Sequence, residues 1–150
     1  MGKKLRKTGA PLPPPPPARP GFPSWLAVGL LLLATLVIYW PALSCGFVNY
    51  DDDTYVTANA SVQNGFTWAG LKWAFLHPDL RLGYWHPLTL LTHMADCQFY
   101  GLHPAGHHLT SVLFHALNTV LVFLLLRRLT AAFWLSLVVA ALFGWHPMHV

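Results

Sequence analysis

From Trp25 to Leu43 the chain carries no charge and only scattered polar atoms. A helix of that length is roughly 28 Å long at ~1.5 Å per residue, close to the ~30 Å hydrocarbon core of a bilayer. A backbone in hydrocarbon must satisfy its own polar groups, so a run that crosses is confined to a helix. Trp25, Tyr39 and Trp40 stand at its two ends, where amphipathic rings prefer the interface. A cleaved signal peptide is the competing reading, but the run is long for one. It reads as a first transmembrane helix over 25–43.

Two further runs follow. Leu109–Leu126 is apolar and ends at Arg127-Arg128; Ala131–Trp145 starts again after a short turn and is slightly short for a span. The expected order is a second span over 107–126, a turn over 127–130, a third span over 131–146, and the start of an outer loop over 147–150. The fold class is therefore an all-α membrane protein with three transmembrane helices. The second run carries a polar line, because His107, His108, Ser111, His115 and Asn118 fall within an arc of roughly 100° at about 100° per residue. Polar groups inside a span face the bundle interior and hydrogen-bond across helices, so this line is expected to face inward. His103, His107, His108 and His115 match no known zinc spacing, and no metal ligand is assigned.

Charge fixes the expected orientation. Of 150 residues, 55% are hydrophobic and only 9% charged, which excludes an ordinary soluble domain. The net charge of +4 is gathered at Lys3, Lys4, Arg6 and Lys7, at Arg19, and at Arg127-Arg128. Basic residues that bracket apolar runs describe membrane topology, whereas a nucleic-acid binder spreads them over a folded face. The tail 1–24, basic and then proline-rich, reads as disordered and cytoplasmic; segment 44–106 and the end near His146 then lie together on the extracytoplasmic side of a multi-pass inner or plasma membrane protein. Cys45 and Cys97 form no disulfide framework, and both one bridge and two free thiols fit the sequence.

Segment 44–106 holds most of the chemistry. Thr67 is a fitting N-cap for a helix with Trp68, Leu71 and Phe75 on one face, with Phe66 and Leu71 as its staple. Pro87 suits the first turn of a second helix ending near Gly101. Leu88, Leu91, Ala95 and Phe99 make its apolar stripe, with Thr89, His93, Asp96 and Tyr100 on a polar face. Both are read as amphipathic helices lying on the membrane surface. All five acidic residues are Asp, and Asp51, Asp52 and Asp53 stand together just past the first span. A positioned carboxylate can serve as a general base, and adjacent carboxylates can also hold a divalent metal against a phosphate. The plain alternative is a solvated helix flank. His93 and Asp96, three apart, can pair to assist proton transfer or can merely solvate the outer face of an interfacial helix. Arg81, Tyr84, Trp85 and His86 offer a cation and aromatic faces, with interface anchoring as the alternative.

Five stretches together resemble one family. They are Gly46-Phe47-Val48-Asn49-Tyr50-Asp51-Asp52, Trp85-His86-Pro87-Leu88-Thr89, His93-Met94-Ala95-Asp96, Gly106-His107-His108-Leu109, and Leu142-Phe143-Gly144-Trp145-His146-Pro147-Met148-His149-Val150. In this order they resemble the N-terminal part of membrane proteins that join a GT-C-type glycosyltransferase to C-terminal tetratricopeptide (TPR) repeats, the TMTC O-mannosyltransferases and their bacterial relatives. The resemblance implies a donor sugar, of mannose type, carried on polyprenyl phosphate and passed to a hydroxyl acceptor such as a protein on the extracytoplasmic side. It puts the catalytic role on Asp51 and Asp52 in the first outer loop. Asp53, Arg81, His86, His93, Asp96, His107, His108, His146 and His149 follow as substrate-binding positions, and a divalent metal as an optional cofactor. In the family a Glu follows the His-Pro-x-His corner, so the chain is expected to be a fragment of a longer enzyme and inactive alone. The alternative function is a non-catalytic membrane anchor or interaction module.

Overall fold

The computed structural model describes residues 21–76 and 85–147, and every regular element among them is helical. The expected tail falls almost wholly outside these residues, as do Arg81 and His149. Helix α1 (Ser24–Tyr39) tightens into a 3-10 turn over Trp40–Ser44, where Pro41 has no N–H to continue the α ladder. A single wide turn over Asp53–Thr57 leads to α2 (Ala60–Gln63), α3 (Trp68–Leu76) and α4 (Pro87–Tyr100). Helices α5 (Pro104–Thr130) and α6 (Phe133–Trp145) complete the chain. Ser24–Ser44 and Pro104–Thr130 are long and apolar enough to cross a membrane; α6, with 13 residues, is a shorter apolar helix. The second run thus reaches beyond 107–126 at both ends, because Pro104 starts the helix and Ala131, at φ 54°, caps it with an N–H to the Arg127 carbonyl.

Helix α5 is flanked by α1 and α6. Ala27, Leu31 and Thr35 form a buried stripe at every fourth position of α1, as do Ser136, Ala140 and Gly144 on α6. They close on Val112, Ala116, Thr119, Val120 and Phe123 of α5, all buried. Small residues at such seams let helix backbones approach, and dispersion gains follow. The closest approach is at Gly144, where a Cβ would stand 2.5 Å from Thr119 Cγ2. His115 Nε2 donates to the Gly144 carbonyl at 2.9 Å, and Thr119 Oγ1 donates back to the His115 carbonyl at 2.9 Å. The outward faces of the three helices are mostly apolar, with Leu33, Val37, Leu125 and Leu142 largely exposed.

Contacts at the helix ends fix how the elements are arranged. Arg127 hydrogen-bonds to Ser24 Oγ and lies 5.7 Å from the centroid of the Phe133 ring, so α1 and α6 start where α5 ends. At the opposite end Tyr39 donates its hydroxyl to the His146 carbonyl at 3.3 Å. Residues 45–76 and 85–103 emerge at that end too and form a cap with its own core of Val56, Val62, Ala74, Leu90, Met94 and Cys97. Thr67 Oγ1 accepts the Gly70 N–H at 3.0 Å, the expected N-cap, and Gly101 at φ 62° ends α4. Cys97 is buried, Cys45 exposed, and both are free thiols.

Packing sets the exposure of two helix faces. On α4 Leu88 and Phe99 of the apolar stripe are 71% and 76% exposed and Leu91 packs against the cap core, while Asp96 on the polar face is 5% exposed. Asp96 is buried because α5 supplies a polar partner for it. On α5 the polar line divides: His107 and His115 are buried, but Ser111 and Asn118 are exposed. The seam with α1 and α6 is centred on Thr119 and Phe123, and these two positions lie off its edge.

The Gly144 approach gives a direct test. Gly144→Ala should destabilise the full chain by about 1–3 kcal/mol, as overpacking does, read as a lower unfolding midpoint in detergent. Adding Thr119→Ala should recover part of that loss, because the clashing Cγ2 and Oγ1 atoms are then gone.

Candidate functional site

The acidic run opens the wide turn of the cap. The Asp51 carbonyl accepts the Tyr55 N–H at 2.9 Å, so the three carboxylates stand at the start of a helical segment, where negative charge is favoured. They do not act as one group. Asp51 is exposed. Asp52 is half-buried, and its Oδ2 accepts the Val48 N–H at 2.7 Å, closing the loop that brings Phe47 inward. Asp53 Oδ1 accepts the Thr54 N–H at 2.8 Å and faces a separate polar hollow of about 350 Å³ shared with Asn59, Ser61 and Trp73. A metal clamped by all three carboxylates does not fit this arrangement.

The densest chemistry lies where α4 meets the first turns of α5. Gly101, Leu102 and His103 make the connection, and Tyr100 lies over Gly106, where any side chain would collide with its ring. That close approach sets Asp96 of α4 beside His107 and Thr110 of α5. Thr110 Oγ1 donates to Asp96 Oδ1 at 2.6 Å, and Asp96 Oδ2 is 3.8 Å from His107 Nδ1. His107 Nε2 is 3.0 Å from the Gly101 carbonyl. A carbonyl only accepts, so Nε2 carries a proton, and Nδ1 is the atom turned toward the carboxylate. His93 stacks on His107 with ring centroids 6.4 Å apart. The Nδ1 atoms of His93 and His107 and Nε2 of His108 are buried without a hydrogen-bond partner.

Aromatic rings close the cluster. Phe47 meets His107 edge-on at 5.2 Å, and Tyr55 lies 5.3 Å from His86 and 5.8 Å from His93. Asp52, His86, His93, Asp96, His107 and His108 thus come to one place, while Asp51 is on the adjoining surface and Asp53 faces elsewhere. His146 is at the end of α6 beside Tyr39, in a different setting. Asp96 is buried, so the pair it makes is not one that solvates an outer face. Thr110, Tyr55 and the Gly101 carbonyl are site members that sequence reasoning did not name. Thr110 is three residues past His107 on the same helix face, a spacing that could have pointed to it.

Burial holds the His93 pKa below the ordinary imidazole value of about 6.5. His107 and His86 push it the same way, while Asp96 and Asp52 pull it up without offsetting the loss of solvent. Burial, with Asp96 adding, raises the Cys97 thiol. The linkage for His93 is directional. As pH falls through about 6.5 the unfolded chain takes a proton that the folded chain resists, so stability drops until the folded pKa is reached. Thermal unfolding in chelated buffer should therefore show a midpoint that declines below about pH 6.5, and His93→Gln should flatten that decline.

No family model and no solved structure matches the chain. Among curated proteins it is 36% identical to the protein O-mannosyl-transferase Tmtc2 of Drosophila melanogaster over 119 residues, 75% of this chain and 13% of that protein. It is 36% identical to Tmtc1 of the same organism over 118 residues, 75% of this chain and 14% of that protein. It is 31% identical to TMTC3 of Mus musculus over 132 residues, 81% of this chain and 14% of that protein. The chain spans only about a seventh of the length of these relatives. Over 75–81% of its length the chain is thus similar to protein O-mannosyl-transferases of the TMTC group.

Proposed function

We propose that the chain is the N-terminal part of a GT-C-type membrane glycosyltransferase that moves mannose from polyprenyl phosphate to a hydroxyl of a protein acceptor, with TPR repeats following. The observation that carries this reading is the gathering of Asp51, Asp52 and the histidine cluster at the end of the bundle opposite Arg127-Arg128, in a relative of O-mannosyl-transferases. In this reading α1, α5 and α6 are three spans, with Trp134 and Trp145 near the two ends of the short third one. The basic end faces the cytoplasm, the cap lies outside, and the apolar outer face of Trp68, Leu71 and Phe75 rests on the bilayer.

Asp51 is the base. Its exposed carboxylate takes the proton of the acceptor hydroxyl as that oxygen bonds to the anomeric carbon. The bond from that carbon to the phosphate oxygen breaks, and polyprenyl phosphate leaves with the electron pair. Asp52 holds the loop through Val48 and faces the histidines. His86 and His108 line the donor phosphate side, with Arg81, His146 and His149 as further contacts to the substrate.

Two measurements test this reading. In the full-length protein supplied with polyprenyl-phosphate mannose, Asp51→Asn should lower turnover by about 10²–10⁴-fold, the usual range for a lost general base. Unchanged turnover would instead favour a membrane anchor or interaction module. For topology, exposed Cys45 should react with a membrane-impermeant maleimide added outside intact cells, and a cysteine placed at Arg128 should react only after permeabilisation. Labelling of both from outside would sink the orientation.

A further inference from the structure

We propose that His93, Asp96 and His107 form a zinc site that ties the cap to the second long helix. One donor atom from each residue lies within 4.8 Å of the others, in a setting where Asp96 and His107 are each 5% exposed. Tetrahedral zinc, with bonds of ~2.0–2.1 Å, needs donors about 3.3 Å apart. The 3.8 Å between His107 Nδ1 and Asp96 Oδ2 is within about 0.5 Å of that spacing.

Three features of the cluster ask for a cation. His107 Nδ1 is buried without a hydrogen-bond partner, 3.8 Å from Asp96 Oδ2, while its Nε2 is turned to the Gly101 carbonyl. A metal ion placed between that nitrogen and that oxygen would take both as ligands. His93 adds a second buried ring nitrogen without a hydrogen-bond partner. The outer contacts then match those of metal ligands, whose remaining polar atoms are fixed by neighbours. His107 gives its other N–H to a backbone carbonyl, and Asp96 takes the Thr110 hydroxyl on its other oxygen. Two imidazoles with one carboxylate are a donor set for zinc rather than for magnesium or calcium, which prefer all-oxygen shells.

The ligands come from two elements, His93 and Asp96 from α4 and His107 from α5. Bound zinc therefore pins the outer helix against the helix that enters the membrane, and the site stands whether or not the chain transfers sugar. No bond in a substrate is made or broken by this metal.

The test uses the full-length protein, purified without a histidine tag and dialysed against metal-free buffer. Elemental analysis should find about one zinc per chain. His93→Gln and His107→Gln should each lower zinc content at least tenfold, and His103→Gln, an exposed histidine of the same region, should leave it unchanged. Thr110→Val should weaken zinc affinity by about 10–100-fold, as loss of a ligand's orienting partner does. Because the ligand variants could misfold, Co²⁺ is also titrated into the zinc-stripped wild type, where intense visible ligand-field bands that saturate at one equivalent support the site. Zinc-free wild type without such bands, or zinc retained in a folded His93→Gln/His107→Gln double variant, would overturn it. Loss of turnover in Asp51→Asn with zinc retained separates this inference from the catalytic one.

Discussion

A buried carboxylate governs the cap. Asp96 sits among Cys97, Met94 and the first turns of α5 with little access to solvent, and an isolated charge there would cost several kcal/mol. It is tolerated in part because Thr110 donates to one of its oxygens. That partner comes from the next helix, so the carboxylate can be buried only if α4 folds back on α5 at close range. The tight Gly101–His103 connection and the bare Gly106 provide that approach. The outward position of Leu88 and Phe99 follows from the same choice. With Asp96 turned to α5, Leu88 and Phe99 are left outside, while Leu91 packs against the cap core.

The bundle below obeys a different constraint. In the proposed membrane setting its helices would gain little from the hydrophobic effect against lipid, and close packing holds them together. Buried stripes at every fourth position of α1 and α6, small except for Leu31, meet α5, and the buried hydroxyls of Thr119 and Ser136 return to carbonyls one turn back. Those internal bonds let polar side chains sit at a seam without water. His115 spans from one helix to the next, giving its N–H to the backbone at the point where Gly144 leaves it accessible.

Local features were legible in the sequence. The apolar runs, Thr67 as a cap, Pro87 as a start and Gly101 as a stop each rest on chemistry within a few residues. Tertiary placement was not. The amphipathic pattern of α4 identified two faces, but periodicity records that faces differ and not which residues meet a partner, so the burial of Asp96 against α5 was not readable from it. The polar line of α5 was a true line on the helix wheel, yet the small-residue seam passes beside it and leaves Ser111 and Asn118 outside. Adjacent carboxylates likewise read as one cluster until the turn at Asp53 sends each toward its own neighbour. The convergence of His93, Asp96 and His107 depends on one short connection whose geometry no composition reveals.

The Gly144–Thr119 contact reaches beyond its own seam. Thr119 and His107 belong to one uninterrupted helix and are separated along its axis by about 18 Å at ~1.5 Å per residue. A rigid rod transmits displacement along its length, so the depth at which α5 is seated against α6 also sets the height of His107 and Thr110 beneath the cap. The contact works as a mechanical stop. A side chain added there would be felt first as a change of register at the far end, where a shift of even 1 Å separates a hydrogen-bonded carboxylate from its partner.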